Sequence, residues 1–149
     1  ESRIASLVAI AKRDVPQDHW LHLGRPMTRT LDGDHALASW SGTMFEFLMP
    51  TLLVPTPRET LLGHTCAAIV AHHIAYGRSR GVPWGISESG FYAFDASSGY
   101  QYRAFGVPGA GLTRGLADDL VVAPYASVLR MPHDPAAVLA QPDRSLIHI

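Results

Sequence analysis

The sequence predicts an all-α fold that carries one inserted aromatic β-hairpin. Three observations lead there. Most of the chain divides into stretches whose apolar residues recur at the helical period, each closed by proline or glycine. One place shows two short aromatic runs about a turn. No strand pattern alternates with the helical stretches, so a doubly wound parallel sheet is not expected. No fixed-period repeat is present, and successive helix–loop–helix units are consistent with an α-toroid.

The elements follow in order. Residues 1–13 read as a helix, because Ile4, Leu7, Val8 and Ala11 share one face. Pro16 ends it, lacking a donor and restricting Val15. Residues 17–35 are polar and rich in Gly, Pro and Asp, and read as a loop pinned by Trp20, Leu21 and Leu23. Residues 39–48 read as a second helix, with Trp40, Met44, Phe47 and Leu48 in period and Pro50 as its stop. Thr56-Pro57-Arg58-Glu59 has the form of a capping box with proline at the first helical position. It opens a third helix running to about Arg80, with Leu62, Ile69, Val70, His73 and Ile74 as its buried stripe. Phe91-Tyr92-Ala93 and Tyr100-Gln101-Tyr102 form the hairpin, with residues 95–99 as its loop. Residues 105–114 hold three glycines and a proline and read as a loop. Residues 116–130 read as a fourth helix with Pro124 either kinking it or lying close to its start, and Asp134-Pro135 caps a last short one to about Ala140. The tail, residues 141–149, has no clear period.

Composition bounds the function. The 149 residues carry 12 Lys+Arg against 13 Asp+Glu, a formal net charge of −1, which argues against a general nucleic-acid binder. All the basic residues but Lys12 are arginine, which favours planar, bidentate contacts over diffuse charge. With 47% apolar and 17% charged residues the chain is expected to be ordered. Cys66 is the one cysteine, so no intrachain disulfide and no cysteine-based zinc site can form. No apolar run approaches the ~20 residues of a membrane span. The chain opens on Glu1 inside a helical pattern, as a fragment of a longer chain would.

Four glutamates are present: Glu1, Glu46, Glu59 and Glu88. Glu59 is accounted for by the capping box. Glu46 lies in the apolar stretch Met44-Phe45-Glu46-Phe47-Leu48 and must find partners, either in a site or at a helix N-terminus or an arginine. Glu88 sits between Ser87 and Ser89, close to Trp84 and just before the aromatic hairpin. A carboxylate beside aromatic rings suits a sugar site, where the rings stack on pyranose faces; the bland alternative is a turn residue over an aromatic minicore. Glu1, read from the residues alone, is a first-turn acid facing the helix dipole. Asp118-Asp119 reads as a helix opening, with a substrate hydroxyl contact as the lesser reading. Arg103 either anchors a carboxylate or is a solvated strand residue. No metal is expected: His64, His72 and His73 share a helix without metal-ligand spacing, and His73 falls on the apolar stripe. Gly109-Ala110-Gly111 with Gly115 misses the dinucleotide spacing, Ser87 and Ser89 lack the nucleophile-elbow pattern, and no cofactor is expected. Cys66 reads as an inert core thiol.

Four longer strings carry a resemblance. They are Trp40-Ser41-Gly42-Thr43-Met44-Phe45-Glu46-Phe47-Leu48-Met49-Pro50, Arg80-Gly81-Val82-Pro83-Trp84-Gly85-Ile86-Ser87-Glu88-Ser89, Tyr100-Gln101-Tyr102-Arg103-Ala104-Phe105-Gly106-Val107-Pro108-Gly109 and Arg114-Gly115-Leu116-Ala117-Asp118-Asp119-Leu120-Val121-Val122-Ala123-Pro124-Tyr125-Ala126. Over residues 1–140 the chain resembles the central, glucoamylase-like domain of bacterial cyclic β-1,2-glucan synthases. The resemblance implies part, about half or less, of an (α/α)6 barrel with the aromatic hairpin inserted. It also implies a transglycosylase acting on linear β-1,2-glucan and releasing cyclic glucan, without a cofactor. Partners would be the glucan and the other domains of the synthase. The setting would be the bacterial inner membrane through the larger protein, with this domain soluble and facing the cytoplasm. The tail at 145–149 departs from the family, which leaves a non-native origin open for it.

The resemblance also assigns roles. Glu1, followed by Ser2 and Arg3, matches the family's acid/base, and Glu88 its nucleophile. A retaining reaction with carboxylates ~5–5.5 Å apart suits a transfer that keeps the bond type. Trp40, Trp84, Tyr92, Tyr102 and Phe105 are the expected stacking surfaces. Glu46, Ser87, Arg103 and Asp118 are the expected polar contacts. An inverting endo-β-1,2-glucan hydrolase and a non-catalytic glucan-binding or scaffold fragment are the alternatives.

Overall fold

The computed structural model describes residues 2–131 and 135–139. Its elements are α1 (Ser2–Ala11), α2 (His19–His22), β1 (Met27–Arg29), β2 (His35–Leu37), α3 (Met44–Leu53), α4 (Leu61–Arg80), β3 (Ser89–Phe94), β4 (Tyr100–Arg103), α5 (Pro124–Val128) and α6 (Pro135–Leu139). The fold is mixed α and β, with two antiparallel two-stranded sheets, β1–β2 and β3–β4. This corrects the all-α expectation and the barrel fragment that the resemblance implied.

Two local causes account for the difference. Residues 17–35 are not one loop: they include α2 and β1, and with β2 they make a hairpin in which Met27 faces Leu37 and Arg29 faces His35. Its tip closes because Thr30 N–H donates to Asp34 C=O at 2.8 Å and Gly33 takes φ +85°, a conformation that costs glycine little. Three-residue strands are too short for alternation to declare them in sequence. Over 116–130 the alternative with Pro124 at the helix start holds, and residues 116–123 are not helical. Pro124 pushes Ala123 to an extended conformation (φ −105°, ψ 104°), so the helix begins only at Pro124. Upstream, Val122 pairs with Ile86 in an antiparallel bridge.

α4 is the central element. Thr60 caps it, accepting from Gly63 N–H at 3.1 Å, and Gly81 ends it in the left-handed region at φ +67°. The start thus lies past the expected Thr56 box: Thr60 N–H bonds back to Pro57 C=O in a separate turn. A genuine capping box stands instead at α3, where Thr43 and Glu46 bond reciprocally. α3 also runs through Pro50 rather than stopping there.

Ala68, Ile69, Tyr76, Phe47, Ile86, Phe105 and Val107 form one core cluster; Met44, Leu48, Val70, Trp84, Ala123 and Ala126 form a second. The loop at 105–111 packs backbone against backbone on Ser41 and Gly42. A Cβ on Gly106 would stand 1.6 Å from the Ser41 carbonyl oxygen, so only glycine fits. His72 ties this loop to the first hairpin. Its Nδ1 accepts from Leu31 N–H at 3.0 Å, which leaves Nε2–H to donate to Pro108 C=O at 2.8 Å. The expected tail, residues 141–149, and the cap at Asp134 lie outside the described residues.

Candidate functional site

The segment 84–88 threads between the N-terminus of α3 and α5, and both hold its backbone. Ile86 C=O accepts from Met44 N–H at 3.1 Å, and Ser87 Oγ accepts from Phe45 N–H at 3.0 Å. These donors are the first two of α3, which no intrahelical carbonyl could satisfy. From the other side, Ser127 Oγ donates to Trp84 C=O at 2.8 Å and Ala123 N–H to Gly85 C=O at 2.9 Å. Tyr125 Oη donates to Glu88 C=O at 2.9 Å and lies 3.1 Å from Ser87 Oγ. The carbonyl can only accept, so the single phenolic proton goes there and Ser87 donates to the Tyr125 oxygen.

Glu88 therefore leaves a fixed segment at the foot of the β3–β4 hairpin, half-buried. Its Oε2 accepts from Tyr102 Oη at 3.0 Å. That bond, with the negative charge beside it, holds the Tyr102 phenol above its ordinary value of 10.0. Burial raises the Tyr125 phenol, opposed by the Ser87 bond and reinforced by the charge of Glu88. Tyr102 is 67% exposed and Tyr92 80% exposed, so both rings are open to solvent.

Arg103, on β4, faces a cleft of about 370 Å³ shared with Trp40, Thr113, Arg114, Asp118 and Asp119. Arg103 pairs with Asp119 and lies over the Phe105 ring, 4.9 Å from its centroid. Trp40 is 70% exposed, and its carbonyl is pinned by Thr113 Oγ1 at 2.8 Å. Trp40 also borders a cavity of about 440 Å³ lined by Arg3, Pro26, Glu46, Cys66 and Leu112. Burial pushes the Cys66 thiol up, which makes it a poorer nucleophile.

The expected site residues thus fall into separate places. Glu88 and Tyr102 meet directly; Trp40, Arg103 and Asp118 share the smaller cleft. Four of the expected residues have their side chains engaged within the fold. Trp84 is 6% exposed in the second core cluster, and Phe105 is 3% exposed beneath Arg103, so neither offers a face to a sugar. Ser87 is fully buried, and its hydroxyl is spent on Phe45 and Tyr125. Glu46 accepts from Ser39 Oγ at 2.6 Å and from the Ser41 and Thr43 N–H groups, so its carboxylate secures the N-terminus of α3. Asp118 and Asp119 open no helix; Asp118 N–H closes a turn onto Gly115 C=O. Glu1 lies outside the described residues. Sequence reading missed Tyr125, which it placed within a long helix. It also passed over Thr43, although Thr43-x-x-Glu46 spells a capping box.

No helix among the described residues is long and apolar enough to cross a membrane. No group of three or more His, Cys, Asp or Glu among them is placed to hold a metal ion.

No protein-family model matches the chain. Sequence similarity nevertheless relates it to a bacterial glucan synthase. It is 49% identical over 140 residues, 94% of its length, to a stretch of the cyclic β-(1,2)-glucan synthase NdvB of Rhizobium meliloti (strain 1021). Identity at that level over nearly the whole chain makes it homologous to that piece of the synthase. The chain spans 5% of the length of that protein.

Proposed function

We propose that this chain is a carbohydrate-handling segment of a cyclic β-1,2-glucan synthase, from its glucoamylase-like, transglycosylating part. The observation that carries the reading is Glu88. It is a half-buried carboxylate on a clamped backbone, bonded to an exposed tyrosine, in a chain homologous to a piece of such a synthase. Preorganisation of the carboxylate and open aromatic faces are what glycosyl transfer asks of a site.

In this reading the reaction is retaining. Glu88 attacks the anomeric carbon of linear β-1,2-glucan as the glycosidic C–O bond breaks. The Glu1 carboxyl gives its proton to the leaving oxygen. The chain's own terminal 2-hydroxyl then attacks the glycosyl–Glu88 ester, returns its proton to Glu1, and closes the ring. Trp40, Tyr92 and Tyr102 stack on sugar rings, and Arg103 and Asp118 contact hydroxyls. Linear and cyclic glucan are the ligands, and the remaining domains of a membrane-associated synthase are the partners.

The test is Glu88→Gln in an intact synthase carrying this segment, supplied with linear β-1,2-glucan. Loss of cyclic product with retained folding supports the reading; wild-type rates overturn it. The anomer of the first product by NMR separates retention from an inverting hydrolase.

A further inference from the structure

We infer that Tyr125 is a positioning residue for Glu88, acting together with Ser87. The inference rests on the reading of Glu88 above. The backbone clamp on residues 84–88 is complete up to Gly85 and Ile86 without Tyr125: Ser127 and Ala123 already fix α5 to Trp84 and Gly85, and Met44 fixes Ile86. The Tyr125 hydroxyl is therefore not what holds α5 in place. It adds a constraint at one residue, the carbonyl of Glu88, which is the last residue before the hairpin starts at Ser89.

The constraint runs in a definite direction. Phe45 N–H donates to Ser87 Oγ, Ser87 donates to Tyr125 Oη, and Tyr125 donates to Glu88 C=O. Each hydroxyl has one proton, and each is used once. The N-terminus of α3, made rigid by the Thr43–Glu46 capping box, is thereby connected to the backbone that carries the carboxylate. The Tyr125 ring is held as well, edge-on to Phe45 at 6.5 Å between centroids. Beyond this tether, Tyr102 is the one hydrogen-bond partner of the Glu88 side chain among the described residues. Tyr102 is 67% exposed, whereas Tyr125, at 42%, is also held by Ser87 and Phe45, so the firmer part of the support comes from Tyr125.

The test uses Tyr125→Phe, which keeps the ring and removes the hydroxyl, in an intact synthase converting linear β-1,2-glucan to cyclic product. The expected result is a kcat lower by roughly 10–100-fold with KM unchanged within about 2-fold, the pattern of a misplaced reacting group. Ser87→Ala cuts the same tether from the other end and carries the test should Tyr125→Phe fail to fold. The double variant is expected to lose no more than the worse single variant, because the two act as one unit. Wild-type kcat in folded Tyr125→Phe, or fully additive losses, overturns the positioning role. Glu88→Gln is run alongside: if it is inactive while Tyr125→Phe is normal, only the positioning role fails, and if Glu88→Gln is itself active, the reading of Glu88 fails.

Discussion

The Tyr102 hydroxyl donates to Glu88 Oε2 at 3.0 Å, tying one strand of the hairpin to the carboxylate at its foot. The bond has a measurable consequence. It keeps the phenol protonated, so Tyr102 titrates above its ordinary 10.0. Glu88→Gln removes the charge and is expected to bring Tyr102 back toward 10.0, as read from ¹³C-tyrosine NMR between pH 8 and 12. A Tyr102 resonance that titrates identically in both proteins contradicts the contact.

His73 makes the second case. It is buried in α4 next to His72, and its ring faces the Gly42 backbone in a contact that falls outside hydrogen-bond geometry and opposes the other influences only weakly. Burial, and then the neighbouring His72, push its pKa from 6.5 down to about 3. Between those values the unfolded chain binds a proton that the folded chain does not, so stability falls as pH drops. The slope from this one group approaches ~1.4 kcal/mol per pH unit well below 6.5 and vanishes above it. Urea unfolding at pH 7, 6 and 5 should show the decline, and His73→Leu should flatten it. At pH 7 the same substitution removes two unpaired nitrogens and is expected to change stability by no more than about 1–2 kcal/mol in either direction. An unchanged pH dependence in His73→Leu refutes the assignment.

These two residues show what the sequence disclosed. His73 was legible because the apolar stripe of a long helix has a strong period, and α4 is that helix. The β3–β4 hairpin was legible for a similar reason, since two aromatic runs flank a turn in which Asp95 Oδ1 accepts from Ser97 and Gly99 N–H. The first hairpin was not, because its strands are three residues long and are stabilised by distant partners, such as Thr65 Oγ1 accepting from Leu37 N–H. Over 116–130 the constraint of Pro124 on its predecessor decides between the two readings and sets the helix start at the proline. At the candidate site, Glu88 and Tyr102 are named from the sequence and stand in contact, but the burial of Trp84, Phe105 and Ser87 depends on tertiary packing that no local pattern encodes.

Glu46 separates folding from binding. Its carboxylate closes the capping box and accepts from Ser39 Oγ at 2.6 Å. Glu46→Ala is expected to destabilise the chain by roughly 2–3 kcal/mol, a lost cap plus charge-assisted bonds to groups then left unpaired. Denaturant midpoints measure this directly. A midpoint equal to wild type would leave the carboxylate free for another task and refute its structural role.

Two of the three tryptophans, Trp84 and Trp40, give opposite outcomes. Trp84 is packed in the core and Trp40 stands open beside the Arg103 cleft. Trp84→Ala is expected to cost about 3–5 kcal/mol of stability, the penalty for emptying a large core site. Trp40→Ala is expected to change stability by less than about 0.5 kcal/mol, since most of the ring already meets water. If Trp40 stacks on glucan, the same change weakens binding of linear β-1,2-glucan by about 10-fold or more, the loss of one aromatic platform. Calorimetric titration of both variants decides it. Unaltered affinity in Trp40→Ala removes the ring from the binding surface, and the 370 Å³ cleft beside it then loses its aromatic wall as a reason to hold sugar.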